Sequence, residues 1–379
     1  MIIKKFSAFS NILATALVLL LFIFTAQLSF AQDHQEHTIE VEVAEEHAEE
    51  GGFNAGKMIM GHVMDDHSWH ILDYTDAEGL EHPVAIPLPI IIYDKVSKSW
   101  HMFMSSKFEH GHASYDGLKL YSPTKIVRAE DSSEFGDTAA ELYDFSITKT
   151  TSAVFITAFL MLLIFLSIAK SYKTRQGKAP KGMQSFLEPI ILFVRDDVAK
   201  PSIGKNYEKY MPFLLTVFLF ILLSNLMGLI PVFPGGSNIA GNIAVTMVLA
   251  IATFIITTAS TNKAYWVHIV NMPGVPWWLK FPIPIMPLVE VMGVFTKPFV
   301  LMVRLFANIL AGHIVLLGFV SMIFIFGAMN PLGGYGVSVV SVAFSIFLTF
   351  LEILVAFIQA YVFTLLSAIY FGMAKVTDH

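Results

Sequence analysis

Between Lys297 and Lys375 the only Asp, Glu, Lys or Arg residues are Arg304 and Glu352. A guanidinium stays protonated at every physiological pH, so Arg304 cannot enter lipid by neutralising. Holding it at mid-membrane costs at least ~2.5–3.5 kcal/mol and calls for a partner or water. His313 follows nine residues later, Gln359 lies seven residues after Glu352, and Asn308 is four after Arg304. Glu290 precedes Arg304 by fourteen. Histidine and carboxylate are the side chains that pass protons near neutral pH. A fixed cation between two such groups predicts an ion path in two halves that do not join, since a through-channel needs no barrier.

These residues require membrane elements to hold them. The chain has 379 residues, 55% hydrophobic and 14% charged, and no cysteine. That composition is membrane-like and excludes disulfides and thiolate metal sites. Residues 1–31 read as a signal peptide, with Lys4 and Lys5, an apolar core Ile12–Thr25 and a small-residue site at Ser29-Phe30-Ala31. Residues 32–147 carry 23 acidic and 7 basic residues, whereas 148–379 carry 7 and 15. The first of these regions reads as an acidic, His-rich extracytoplasmic (periplasmic) extension: a disordered leader to residue 52, then a small β-rich domain. Its strands are expected over Val84–Tyr93 and Trp100–Phe108, with a turn at Asp94–Lys98. Ten of the thirteen histidines fall in this extension, but no tight ligand spacing stands out, so no metal site is assigned.

The remainder, 148–379, reads as an all-α polytopic membrane domain of about five helices. Thr151–Ala169 is uncharged and spans outside to inside. The following loop, 170–209, holds nine Lys and Arg against four acids and is cytoplasmic by the positive-inside rule. Within it, Ser185–Val194 predicts a short surface helix. Met211–Phe233 and Ile239–Ser260 are the next two spans, followed by a Trp- and Lys-bearing interfacial loop. Pro284–Ala328 and Gly336–Ala374 are each too long for one upright crossing, so they predict a tilted hairpin with an outside turn at Asn330–Gly334 and a break at Pro298. At 1.5 Å per residue, His313 stands ~13 Å outward of Arg304, and Glu352 ~10 Å outward of Gln359. If Arg304 and Gln359 share a depth, His313 and Glu352 meet in the outer half, with Glu290 on the inner side. Residue physics alone leaves Arg304 open as a structural charge, His313 as a bonded core histidine, Gln359 as an interhelix tie and Glu290 as an interfacial anchor.

Lys297-Pro298, Arg304-Leu305-Phe306-Ala307-Asn308 and Ala311-Gly312-His313 together resemble the signature of subunit a of bacterial F-type ATP synthases. Gln359-Ala360-Tyr361-Val362-Phe363, Tyr370-Phe371-Gly372-Met373-Ala374 and Ser224-Asn225-Leu226-Met227-Gly228-Leu229-Ile230-Pro231 extend the likeness over about 145–379. The resemblance implies a non-catalytic, proton-translocating stator subunit without cofactors. Its partners are then a c-subunit ring, a b-subunit stalk, the rest of the synthase and the lipid bilayer, with no nucleic acid. It implies a multi-pass protein of the bacterial inner membrane with a cytoplasmic C-terminus. Arg304 matches the family's essential arginine, facing the ring carboxylate. Asn308, His313, Glu352 and Gln359 match positions that line the outer half-channel or support the arginine, and Glu290 matches an inner exit carboxylate. Many members carry a carboxylate at the His313 position and a histidine at the Glu352 position; here the two are exchanged. The rival reading is a secondary transporter using Arg304 to bind an anionic substrate, although no internal repeat supports it.

Overall fold

A computed structural model of the chain describes residues 54–75, 81–111, 113–131, 137–230, 233–270 and 285–374. The predicted signal peptide and acidic leader, and Trp277, Trp278 and Lys280 of the interfacial loop, lie outside the described residues.

The N-terminal domain opens with helix α1 (Ala55–Val63), followed by eight strands in three small antiparallel sheets. Strand β1 (Ser68–Thr75) pairs with β2 (Glu81–Pro87). Strand β3 (Pro89–Asp94) lies between β4 (Ser99–Met104) and β8 (Leu142–Asp144), and β5 (Ser114–Tyr115), β6 (Leu118–Ser122) and β7 (Lys125–Arg128) form the third sheet. The apolar run Val84–Tyr93 is therefore two strands rather than one. Prolines at 87 and 89 lack the N–H needed for a continuous ladder, and Leu88 between them donates its N–H to Ser105 Oγ instead, at 3.0 Å. The second predicted strand stops at Met104, and Ser105–Gly111 turns into 3₁₀ helix. Ile90, Ile92, Phe108, Leu118, Ile126 and Leu142 fill the core of this domain.

His67 locks the base of the domain. Its Nδ1 meets the Pro123 carbonyl at 2.9 Å and its Nε2 meets Asp144 Oδ2 at 3.0 Å. Two acceptors on one imidazole favour the doubly protonated ring. Burial opposes that charge, but the bond and charge of Asp144 outweigh it and lift His67 to about 9. A folded pKa above the unfolded 6.5 contributes stability that is complete below about 6.5 and is lost as pH rises through about 9. The melting temperature of this domain is thus expected to fall between pH 7 and pH 10. His67→Asn should melt lower at pH 7 and show a flatter profile; a wild-type slope in that variant would remove His67 as the cause.

The membrane domain follows without a linker. Helix α2 (Lys149–Thr174) is N-capped by Thr148, whose side chain accepts from the Thr151 N–H. Next come α3 (Met183–Phe193), close to the predicted surface helix, and a π-helical turn, Val194–Ala199. The single turn α4 (Lys200–Ile203) ends at Gly204, whose φ of +74° suits glycine. The central helix α5 (Tyr207–Leu229) stops four residues before the predicted Phe233, because Ile230 is extended ahead of Pro231. Helices α6 (Ile243–Ala259) and α7 (Lys263–Val270) precede the hairpin of α8 (Ile285–Met329) and α9 (Pro331–Met373). Lys149–Thr174, Met183–Leu229, Pro287–Met329 and Pro331–Met373 are long and apolar enough to cross a bilayer, while the apolar Ile243–Ala259 is shorter.

Two expectations for the hairpin are corrected. Helix α8 is not broken at Pro298 but runs through it, as membrane helices tolerate when neighbours re-satisfy the freed carbonyl. The turn is not five residues long. Asn330 alone connects the arms, its side chain capping the Leu332 N–H at 3.0 Å while Pro331 takes the first helical position. Gly334 then lets the arms close: a Cβ there would stand 2.7 Å from Gly327 Cα. At 45 residues α8 is about 67 Å long, roughly twice the hydrocarbon thickness. The core sits around α5, where Leu214, Phe218 and Ile221 pack with Met161 of α2 and with Phe363 and Phe371 of α9.

Candidate functional site

A cavity of about 260 Å³ opens between α5, α8 and α9. Asn225 and Leu229 line it from α5, Asn308, Ile309, Gly312 and His313 from α8, and Glu352, Val355 and Ala356 from α9. Helical spacing explains the set: Asn308 and Gly312 are four apart on one face, as are Asn225 and Leu229. Glycine makes the room. A Cβ at Gly312 would stand 2.9 Å from Glu352 Oε1, so the carboxyl lies directly against the backbone of α8. A Cβ at Gly228 would stand 3.5 Å from His313 Nε2 and 3.3 Å from the Ser237 carbonyl oxygen. His313 and Glu352 therefore share one cavity, each fitted against a glycine of a neighbouring helix.

Among the described residues, both carboxyl oxygens of Glu352 lack a hydrogen-bond partner, as do both side-chain polar atoms of Asn225 and the hydroxyls of Ser224 and Ser237. Leaving such a buried group unsatisfied costs about 1–3 kcal/mol. The cavity is many times the ~10–15 Å³ that one water occupies, and within a mainly apolar lining Asn225, Asn308, His313 and Glu352 offer water its polar partners. Asn225, only 3% exposed, lines the cavity as well, although its place in the sequence marks it only as part of a motif. Its signal was present: Ser224-Asn225 is a polar pair deep in a 23-residue apolar helix, where polar groups are seldom idle.

Arg304 lies one turn from Asn308 and is exposed. Among the described residues it makes no hydrogen bond or ion pair. Exposed apolar side chains accompany it along the hairpin: Phe299, Val300 and Val303 of α8, and Phe350 and Leu354 of α9. A lone guanidinium among apolar side chains calls for a partner or water. Stacking of Phe319 on Phe344 at 5.2 Å and the Gly312–Glu352 contact set the antiparallel register. Extended along the hairpin, that register brings Arg304 level with Gln359. Gln359 is 7% exposed and does not line the cavity.

Glu290 stands at the other end of α8, 23 residues and about 34 Å from His313 along the helix. It lies within electrostatic reach of Tyr265. Nearby, Thr253, Thr257, Thr261, Tyr265, Lys297 and Tyr370 border a crevice of about 20 Å³, with Lys297 Nζ 5.8 Å above the Tyr370 ring. The site residues thus fall into a cavity group (Asn308, His313, Glu352), an uncovered Arg304 beside it, a buried Gln359 at its level and a remote Glu290. Among the described residues no cluster of three or more His, Asp or Glu could hold a metal ion.

Residues 151–372 match the sequence profile of the family described as ATP synthase A chain, and residues 58–145 match one described as a domain of unknown function. ATP synthase subunit a of Chloroherpeton thalassium is 45% identical over 244 residues, covering 62% of this chain and 69% of that protein. ATP synthase subunit a 2 of Prosthecochloris aestuarii is 45% identical over 240 residues, 62% and 71% of the two chains. Subunit a of Myxococcus xanthus is 43% identical over 243 residues, 62% and 75%. With more than half of its length matched and relatives covered beyond two thirds, the chain belongs to the ATP synthase A chain family, subunit a of the bacterial F-type ATP synthases.

Proposed function

We propose that this chain is the proton-conducting stator subunit of a rotary ATP synthase in a bacterial inner membrane, with its N-terminal domain outside and its C-terminus in the cytoplasm. A ring of c subunits runs past the exposed apolar side chains of α8 and α9, and a b-subunit stalk holds the chain still. The cavity holding His313, Glu352, Asn308 and Asn225 is the outer half-path. The crevice of threonines, Tyr265 and Lys297, with Glu290 beyond it, is the inner one. Arg304 stands between them. A permanent cation close to a ring carboxylate lowers that group's proton affinity and favours release. Once reprotonated from the other path, the carboxyl is neutral and can turn into lipid. Free energy enters from the ion gradient, about 2.3 kcal/mol per charge per 100 mV. This subunit makes and breaks no covalent bond.

The observation that carries this reading is Arg304 itself: charged, exposed among apolar side chains and without a hydrogen bond or ion pair among the described residues. The native sequence has no cysteine, so one introduced thiol is unique. Ala307 is exposed next to Arg304. Ala307→Cys is expected to form a disulfide with a cysteine placed one turn from the ring carboxylate. Failure to cross-link there, with cross-linking from α2 instead, would put the ring elsewhere and refute the assignment.

A further inference from the structure

The segment from Phe233 to Asn242 joins α5 to α6 and contains Gly235, Gly236 and Gly241. Gly236 has φ +77°. So glycine-rich a stretch has little conformational preference of its own and takes its place from what it packs on. At its middle, the Ser237 carbonyl lies by Gly228, against which His313 Nε2 also rests. Two residues on, Ile239, 1% exposed, belongs to the same buried cluster as Trp69 of β1, itself 3% exposed. At the start of the segment, Phe233 meets the same indole edge-on at 5.1 Å. One side chain of the N-terminal domain therefore meets the segment directly at Phe233 and through their shared core at Ile239, on either side of Ser237 and Asn238.

That junction is rigid. Trp69 shares its cluster with Ala153 and Val154 of α2 and with Ala244 and Val245 of α6. Asp65 Oδ1 accepts the Thr150 N–H at 2.8 Å, and the Asp66 carbonyl accepts the Lys149 N–H at 2.8 Å. The N-terminal domain is thus built onto the membrane domain through shared core and helix-end bonds, not tethered to it. Its helix α1 also packs on α8.

We propose that the N-terminal domain positions the Ser237–Ile239 segment beside His313, with Trp69 as the positioning residue for proton entry into the outer half-path. This rests on the reading of His313 and Glu352 as groups of that path. His313 is faced by Glu352 from α9, by Asn225 and Gly228 from α5 and by Ser237 from the segment. On its own helix Asn308 is near and Arg304 is the closest charge; α6 brings no titratable side chain, and α1 carries Lys57 and His62. A displaced segment changes the space and dipoles around the His313 and Glu352 pair without adding or removing a charge.

The test is passive proton conduction as a function of pH, in membrane vesicles holding the assembled complex after its soluble head is stripped off. Trp69→Ala should conduct several-fold more slowly and with a displaced pH profile, while the intact complex keeps its rate of ATP hydrolysis. Trp69→Phe, which retains an aromatic ring against Phe233 and in that cluster, should recover most of both. An unchanged profile, or a loss of amplitude that only follows the amount of assembled chain, overturns the proposal. Should Trp69→Ala not assemble, Ile239→Ala loosens the same cluster from the membrane side and is read by the same two outcomes. Glu352→Gln runs alongside: if it conducts normally, the outer-path reading itself fails; if it is impaired while the Trp69→Ala profile is unmoved, only the positioning role is lost.

Discussion

Replacing Arg304 with alanine is expected to abolish ATP-driven proton pumping in inverted vesicles while the soluble head continues to hydrolyse ATP. The size of the effect follows from Coulomb's law. A guanidinium about 4 Å from a carboxylate interacts by about 4 kcal/mol at the effective dielectric of a protein surface. That corresponds to about three pKa units on the passing ring carboxylate. Alanine removes that bias, so the carboxylate keeps its proton, and it also removes the barrier between the two half-paths. Arg304→Lys should fail as well. An ammonium is a compact point charge that can shed its proton when desolvated, and it lacks the planar fork that engages a carboxylate from two directions. Among the described residues Arg304 makes no ion pair, so neither variant leaves an orphaned carboxylate there and the fold should survive. Pumping at the native rate in either variant would end the central role given to this side chain.

The second large effect is expected at His313 and Glu352. His313→Ala and Glu352→Ala should each cut proton transport by about a hundredfold or more, the lower end of what a positioned acid–base group contributes. The double exchange, His313→Glu with Glu352→His, should transport faster than either single replacement, since it restores one imidazole and one carboxylate to the same cavity. Geometry adds a condition. The Glu352 carboxyl already presses on the backbone at Gly312, 2.9 Å from where a Cβ would stand, and an imidazole there is bulkier. Recovery should therefore be partial, and Gly312→Ala should abolish it. Transport in the double exchange no better than in the single variants would show that the two groups do not work as a pair.

Much of the membrane architecture was legible in the residues themselves. Uncharged runs mark spans because lipid offers backbone groups no partner other than their own helix. The two arms of the hairpin match their predicted ends within one residue at Ile285 and Met329, and at Met373. Asn330-Pro331 was visible as a boundary but misread as a five-residue turn, because Pro331 and the glycines after it look like loop residues. Asn330 capping and proline at the first helical position instead start a helix there. Pro298 was misread for a related reason. In water a proline breaks a helix, but within a membrane bundle its neighbours carry the helix through.

Residue types and their spacing determined that this chain crosses a membrane, that it carries one charge unable to neutralise there, and that His313 and Glu352 stand at similar heights on facing arms. Those properties are local, set by hydropathy and by the fixed rise of a helix. Tertiary structure alone decided that Arg304 is left uncovered while Gln359 turns inward, that Asn225 joins the cavity, and that Gly228 and Gly312 clear space for the histidine and the carboxyl. It also decided that Trp69 reaches the segment beside His313. Each of these depends on which faces of distant helices meet, and packing between segments far apart in the chain leaves no periodic trace in either one.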